Sequence, residues 1–208
     1  MAFSFVSGSA QYMVASPTPV TTVPLTISAW FKPSVSNVWG SIVSVGGFSD
    51  HCRVSTGSGF LQGLALGSTT GSSVSTTALN AGVWYHVAAV FPSTSFRQSF
   101  LNGVPSTADT TLITQSPFDD ILISARRLGG PGGLGQYING DIGDVAIWNT
   151  ALTDAEILSL SRSFAGPKIR PQNLVFYAPL IRPTQDLRSG ASFINNGGTV
   201  SDHPRIIM

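Results

Sequence analysis

Glu156 is the only glutamate in the chain, beside nine aspartates. Glycoside hydrolysis needs two carboxylates facing each other across a sugar ring, roughly 5–9 Å apart. Thr153-Asp154-Ala155-Glu156 has instead the spacing of a capping box, in which the Thr hydroxyl and the Glu carboxylate each accept from an otherwise orphan amide. That commits Glu156 to a helix start and excludes any mechanism built on two glutamates. Asp141 and Asp144 stand three apart on an expected strand and should face opposite sides, although an enzyme built on aspartates alone stays open. Nucleophilic catalysis finds little support. Gly57-Ser58-Gly59 falls between strands rather than on a strand-to-helix elbow, and the neighbours His51 and Cys52 point apart on an extended chain. Cys52 therefore reads as a buried or half-buried free thiol. His86 reads as a packing residue, and His203 has no ligand set near it. One Cys and three His, dispersed, give no zinc spacing.

Gly130-Pro131-Gly132-Gly133-Leu134-Gly135 matches a dinucleotide fingerprint letter for letter. Such a site needs a helix N-terminus after the loop to meet the pyrophosphate. Here a strand follows at Tyr137-Ile138, so the loop is a connection at the rim of the fold. For calcium, which takes six to eight hard oxygen ligands, the available donors are Asp119, Asp120, Asn139 and Asp141. The expectation is no cofactor, with calcium as the alternative. Sugar binding needs exposed aromatic faces beside planar polar groups, and Trp39 and Tyr137 are the loop-borne candidates. Arg126 and Arg127, at a strand end, are placed to contact an anionic partner or to be simply solvated. Trp30, Trp84 and Trp148 lie in strands and read as core.

The elements that position these residues are short strands. The chain has 208 residues, 42% apolar and 10% charged, enough for one large domain with a sizeable core. Its 22 Gly and 13 Pro follow no fixed period, which excludes collagen. A net charge of +1 leaves no electrostatic footprint for nucleic acid or an anionic membrane. No run of 18 apolar residues occurs, so no membrane insertion is expected. Met1-Ala2-Phe3-Ser4-Phe5-Val6 carries no basic leader, and the expectation is a protein with no signal peptide, made and used without classical secretion.

Leu25, Ile27, Ala29 and Phe31 alternate with Thr26, Ser28, Trp30 and Lys32, the pattern of a strand with one buried face. Residues 83–91 are apolar on both faces and read as a central strand covered twice. Residues 96–101, Asn102-Gly103 and Val104 form a hairpin with a type I′ turn. Further strands are expected at residues 2–6, 11–15, 41–45, 60–66, 121–124 and 144–148. Ten or more such strands separated by turn signals predict an all-β, two-sheet antiparallel sandwich. One short helix is expected near residues 154–164, with Ile157, Leu160 and Phe164 on one face and Gly166-Pro167 as its stop. Residues 1–166 then form the sandwich. Residues 167–208, rich in Pro and Arg, form a tail with one clear strand at 174–180.

The order of these segments resembles the laminin G-like, or concanavalin A-like, jelly-roll domains of the lectin–glucanase superfamily. The resemblance covers roughly residues 2–160. It rests on Gly8-Ser9-Ala10-Gln11-Tyr12-Met13, on Leu25 to Pro33, and on Ser41-Ile42-Val43-Ser44. It continues through Trp84-Tyr85-His86-Val87-Ala88 and Phe100-Leu101-Asn102-Gly103 to Asn139 to Asn149, leading into Leu152-Thr153 and Glu156-Ile157. Retaining enzymes of that superfamily place Glu, Asp and Glu at alternate positions on one strand, a run absent here, so the chain is not expected to be an enzyme. The family's opening strand resembles Leu174-Val175-Phe176-Tyr177-Ala178-Pro179-Leu180, followed by Asp186, Gly190 and Asn195 to Gly198. This implies a circularly permuted arrangement in which the tail returns a strand to the sandwich or donates it to a neighbouring subunit. Leu174, Phe176, Tyr177 and Arg182 are its assembly candidates.

By that resemblance, the expected function is a non-enzymatic structural protein of a virus particle, a bacteriophage virion, assembled in the host cytoplasm. Capsid decoration and tail- or fibre-associated proteins reuse this jelly roll for assembly or surface attachment. Its partners are then further copies of the chain, other virion proteins, or glycans. The alternative is a carbohydrate-binding module of a larger or secreted system.

Overall fold

The computed structural model describes residues 2–47, 50–129, 133–181, 186–191 and 193–202. Gly130 to Gly132, Arg182 and His203 lie outside the described residues. In chain order the elements are β1 (Ala2–Phe5), β2 (Tyr12–Ala15), β3 (Leu25–Pro33), β4 (Gly40–Gly46), β5 (His51–Gly57), β6 (Phe60–Leu66), β7 (Thr70–Ala78), β8 (Tyr85–Ser93), β9 (Phe96–Leu101), β10 (Val104–Pro105), β11 (Asp120–Ile123), β12 (Arg126–Arg127), β13 (Leu134–Gly135), β14 (Gly140–Trp148), α1 (Asp154–Ser161), β15 (Leu174–Ala178), β16 (Phe193–Asn196) and β17 (Thr199–Ser201).

Two antiparallel sheets stack to form a jelly-roll sandwich. One has eight strands in the order β10-β9-β8-β3-β14-β1-β17, with β15 also on β14. The other has seven, ordered β16-β2-β11-β4-β5-β6-β7, and β12-β13 form a separate two-stranded piece. The alternation in β3 sends Leu25, Ile27, Ala29 and Phe31 into the core between the sheets, where they meet Val43, Val45, Cys52 and Val54 of the facing sheet. β8 is apolar on both faces because it is covered twice. Val87, Ala89 and Phe91 face the inter-sheet core, while Ala88 and Val90 join Phe100, Trp148, Ile157 and Leu160 in a second layer under α1. Each such large side chain contributes roughly 1.5–3 kcal/mol by leaving water. Asn102 and Gly103 take φ of +51° and +80°, as a type I′ turn requires.

The start of α1 is the expected capping box. Glu156 N–H donates to Thr153 Oγ1 at 3.4 Å, Thr153 N–H donates to Glu156 Oε2 at 2.8 Å, and Arg170 pairs with Oε1 of the same carboxylate. The helix ends at Ser161, earlier than Gly166-Pro167. Ser163 has φ +72°, which breaks the helical path, and Phe164 is 41% exposed rather than on the buried face.

Beyond Gly166 the chain supplies strands to both sheets. β15 pairs with β14 from Val145↔Ala178 to Trp148↔Leu174, while β1 takes the other half of that edge from Phe3↔Ile142 to Phe5↔Gly140. β16 lies on β2 and β17 on β1. Leu174, Phe176 and Tyr177 are buried against their own chain, with Phe176 edge-to-face on Phe193 at 5.5 Å.

Candidate functional site

His51, Arg53 and Ser55 alternate along β5 with Cys52 and Val54, so that the first three face outward from the seven-stranded sheet and the last two point into the core. Their outward face is nevertheless covered. His51 and Ser55 are each 1% exposed and Arg53 is 7% exposed, and the covering segment, described at residues 126–129 and 133–137, lies over this part of the sheet. That segment is fastened at several points. Ser44 Oγ donates to Ala125 O at 2.9 Å, and Ser41 N–H donates to Gln136 O at 2.7 Å. Gly40 permits the approach: a Cβ there would stand 2.8 Å from Tyr137 O and 2.9 Å from Gln136 O.

The floor beneath this cover is cationic. Arg53 Nη1 donates to Ser41 Oγ at 3.0 Å and to the side-chain oxygen of Gln136, both neutral groups. Arg126 donates to the carbonyl of Arg127 at 2.9 Å. Among the described residues neither guanidinium has a carboxylate partner. Burial and the nearby charge of Arg126 pull Arg53 down to about 9, so it stays charged at neutral pH. Burial, with Arg53 and Arg126 adding to it, pulls His51 down to about 2 and keeps its ring neutral. Nine buried side-chain polar atoms lack a hydrogen-bond partner among the described residues, and five of them are here: His51 Nδ1 and Nε2, Arg53 Nε, Ser55 Oγ and Arg126 Nε. Buried polar atoms are almost always paired in folded proteins, so this concentration sets the interior beneath the cover apart from the rest of the sandwich.

Arg126 and Arg127 are neighbours in sequence with different roles. Arg127 Nε and Nη2 donate to Asp120 Oδ2 at 2.8 and 2.5 Å, which ties the β12 strand to the edge of β11. Burial pushes the Asp120 carboxyl up by more than Arg127 draws it down. Tyr137 stands at the rim with its ring 6.2 Å from that of Tyr12, tilted by 35°. Trp39, 58% exposed, immediately precedes Gly40 and so sits beside the backbone of Gln136 and Tyr137. The structure thus brings Trp39 and Tyr137 together at the close approach of Gly40, and places Arg126 on β12 opposite Gly135. Sequence reasoning missed Arg53, Ser55 and Gln136 and took His51 only as the neighbour of Cys52. The signal was present as polar residues at positions 51, 53 and 55 of one strand.

The carboxylates are occupied elsewhere. Asp141 pairs with Lys32 at 2.6 Å, Asp109 with Arg97, and Glu156 with Arg170. Asp186 accepts from the amides of Tyr177, Arg188 and Ser189. Asp144 accepts from the Tyr177 hydroxyl at 2.6 Å. The expectation that Asp141 and Asp144 face opposite sides is corrected: a bulge between Gly143 and Ala146 inserts an extra residue, with Asp144 at φ +50°, and brings both to the outer face of the eight-stranded sheet. Three of the four calcium donors are likewise engaged. Asp120 holds Arg127, Asp141 holds Lys32, and Asn139 Oδ1 accepts from Ser7 N–H at 2.7 Å. No group of three or more His, Cys, Asp or Glu converges among the described residues. Cys52 is fully buried, and burial pushes its thiol up to about 12, so it is no nucleophile. On the other sheet, Ala165, Pro167, Leu174, Tyr177 and Leu187 line an apolar groove of about 350 Å³.

Residues 7–158 match the family model described as the concanavalin A-like lectin/glucanases superfamily. No curated protein matches the chain in sequence. Among solved structures, a native heptameric SAP-like pentraxin from Limulus polyphemus superposes with a TM-score of 0.69 at 19% identity, over 95% of this chain and 93% of that one. A putative carbohydrate-binding protein from Bacteroides ovatus gives 0.68 at 18%, over 95% of this chain and 58% of its own. The CBM40 of a Ruminococcus gnavus IT-sialidase, bound to α2,3-sialyllactose, gives 0.56 at 15%, over 69% of this chain and 84% of its own. At these identities the likeness is one of fold.

Proposed function

The chain belongs to the concanavalin A-like lectin/glucanases superfamily, and from that premise we propose that it is a lectin-like recognition module that binds glycans without cleaving them. The observation that carries this reading is the patch on the outer face of the seven-stranded sheet. There Trp39, 58% exposed, and the tilted Tyr12–Tyr137 ring pair offer aromatic faces at the surface beside the backbone of Gln136. Aromatic faces beside polar groups are what a sugar ring requires. Binding rather than hydrolysis is favoured because the lone glutamate is held by a helix cap and an arginine, and because Asp109, Asp120 and Asp141 are paired with cations and Asp186 with backbone amides. The solved relatives include a putative carbohydrate-binding protein and a sialyllactose-bound module, in keeping with this assignment. A glycan array probed with the purified chain tests it. Saturable binding that falls about tenfold or more in Tyr137→Ala or Trp39→Ala supports the site, and no binding to any class of glycan sinks it.

A second reading is a structural part of a virus particle, a capsid decoration or tail-fibre component built from several copies. The edge strands favour it. β16 and β17 end their respective sheets on the same side of the sandwich, with Ile194 68% and Val200 55% exposed. Open edges with apolar side chains are surfaces on which another copy can pair. We read residues 174–198 as the permuted opening of the fold, and exchange of that strand between copies as the route to assembly. Light scattering on a sizing column distinguishes the readings: a discrete oligomer that dissociates with Ile194→Lys supports assembly, and a monomer at all concentrations removes it.

A further inference from the structure

We infer that the apolar groove beside β15 binds a small amphipathic carboxylate, its apolar body on the groove floor and its head group on Arg188 and Lys168. The groove belongs to the eight-stranded sheet, whereas Trp39 and Tyr137 stand over the seven-stranded one, so the inference is independent of the glycan reading. A volume of about 350 Å³ falls within the roughly 300–1,000 Å³ that small-molecule sites occupy. Leu174 and Tyr177 form the floor, and both belong to the apolar layer under α1. Tyr177 brings only its ring to the groove, because its hydroxyl is spent on buried Asp144. The walls are Pro167, Pro171 and Leu187, all exposed, Leu187 by 65%. An apolar body seated there takes these walls out of water, which drives binding. Two of the walls are proline rings, which lose little freedom when a ligand orders them. Apart from the committed phenol, these five side chains carry no hydrogen-bonding group, so sugar hydroxyls find no partner on them.

The rim carries the charge. Lys168 and Arg188 both line the groove, and both are exposed. Neither takes part in the four ion pairs found among the described residues. Arg188 is held at the site, since its Nε donates to the carbonyl of Leu174 at 2.8 Å. Its two terminal nitrogens keep no acceptor among the described residues, and such a pair matches the two oxygens of one carboxylate. The nearest carboxylate in sequence, Asp186, is buried and already spent. It accepts from the amides of Tyr177, Arg188 and Ser189 and from the Ser189 hydroxyl. Those bonds, with Leu187 N–H donating to Tyr177 O at 2.8 Å, fix the turn that carries Leu187 and Arg188 against the floor. Wall and cation are therefore in place before a ligand arrives, which lowers the ordering cost of binding. An uncharged rim would accept any apolar body; two unpaired cations select an anionic one.

The test follows backbone amide shifts by two-dimensional NMR while decanoate or decanol is titrated below its aggregation limit, with melting curves to confirm that each variant is folded. Decanoate should bind saturably, with shifts gathered at Lys168, Leu174, Tyr177, Leu187 and Arg188 and none at Ser41. Decanol, the same body without the charge, should bind about threefold or more weakly. Lys168→Ala and Arg188→Gln should each weaken decanoate about threefold to fivefold, and together about tenfold, while leaving decanol unchanged. Leu187→Asp, at an exposed position, removes a wall and adds a like charge, and should abolish decanoate binding. Equal binding of decanoate and decanol overturns the inference, as does decanoate binding indifferent to Leu187→Asp. Absence of saturable shifts at the groove amides overturns it too. Attachment to anionic phospholipid vesicles without binding of dispersed decanoate also overturns it, because the groove is then a docking face and not a small-molecule site. The glycan reading, tested at Tyr137 and Trp39, is untouched by each of these results.

Discussion

The Tyr177 hydroxyl donates to Asp144 at 2.6 Å across the β14–β15 ladder, and both side chains are buried. The bond joins the strand that closes the sandwich to a strand contributed from beyond the helix. Burial raises Asp144 to about 6, with Tyr177 opposing the rise, while burial and the Asp144 carboxylate raise the Tyr177 phenol, which remains the donor.

Stability at mildly acid pH follows from a contest between groups. Asp144, raised from 3.8 to about 6, stabilises the fold below pH 3.8 and loses that contribution as pH rises through 6. His51 and His86 run the other way: lowered from 6.5 to about 2 and about 3, they contribute fully above pH 6.5 and lose it as pH falls. Each group is worth about 1.4 kcal/mol per pH unit within its window, so the two histidines outweigh the one aspartate. Urea unfolding should therefore show stability falling from pH 6.5 to 4.5. Asp144→Asn should make that fall steeper and His86→Gln should make it shallower. A flat profile in the unmodified protein contradicts both assignments.

Arg97 supplies a sharper test of buried charge. Asp109→Asn leaves its guanidinium without an anion at 1% exposure, and such a loss typically costs about 3–5 kcal/mol. The melting temperature should drop by roughly 6–20 °C. A drop of only a degree or two means that the carbonyls of Thr94 and Thr111 suffice to hold the charge.

Removing residues 170–208 strips β15, β16 and β17 from both sheets. It uncovers the β14 edge from Val145 to Trp148 and takes Phe176 and Phe193 from the core. Unpaired, flat, apolar edges aggregate, and the expected product is insoluble or polydisperse by light scattering. A folded, soluble truncation contradicts the role given to these strands.

Gly40 tests the cover over the patch. In Gly40→Ala the new methyl would stand 2.8 Å from Tyr137 O and 2.9 Å from Gln136 O, both backbone atoms that cannot rotate away. The covering segment must lift from β4, at a cost of about 1–3 kcal/mol. Amide exchange should accelerate at Ser41, whose N–H donates to Gln136 O. Unchanged protection at Ser41 rules this account out.

Local pattern made much of the architecture readable. A period of two in Leu25 to Phe31 dictates which side chains enter the core, Asn102-Gly103 dictates a turn that only positive φ permits, and Thr153 with Glu156 dictates where the helix begins. These are properties of neighbours along the chain, and the sequence carries them directly. β5 lacks an apolar signature because His51, Arg53 and Ser55 hold its covered outward positions, and β7 because Gly71, Ser73 and Ser75 hold its buried ones. Arg126 and Arg127 read alike on the page, whereas the fold gives one to Asp120 and sets the other beside Arg53. That division belongs to tertiary structure alone. It depends on sheet register and on the path of a covering segment, which bring together residues far apart in sequence through contacts that no local period encodes.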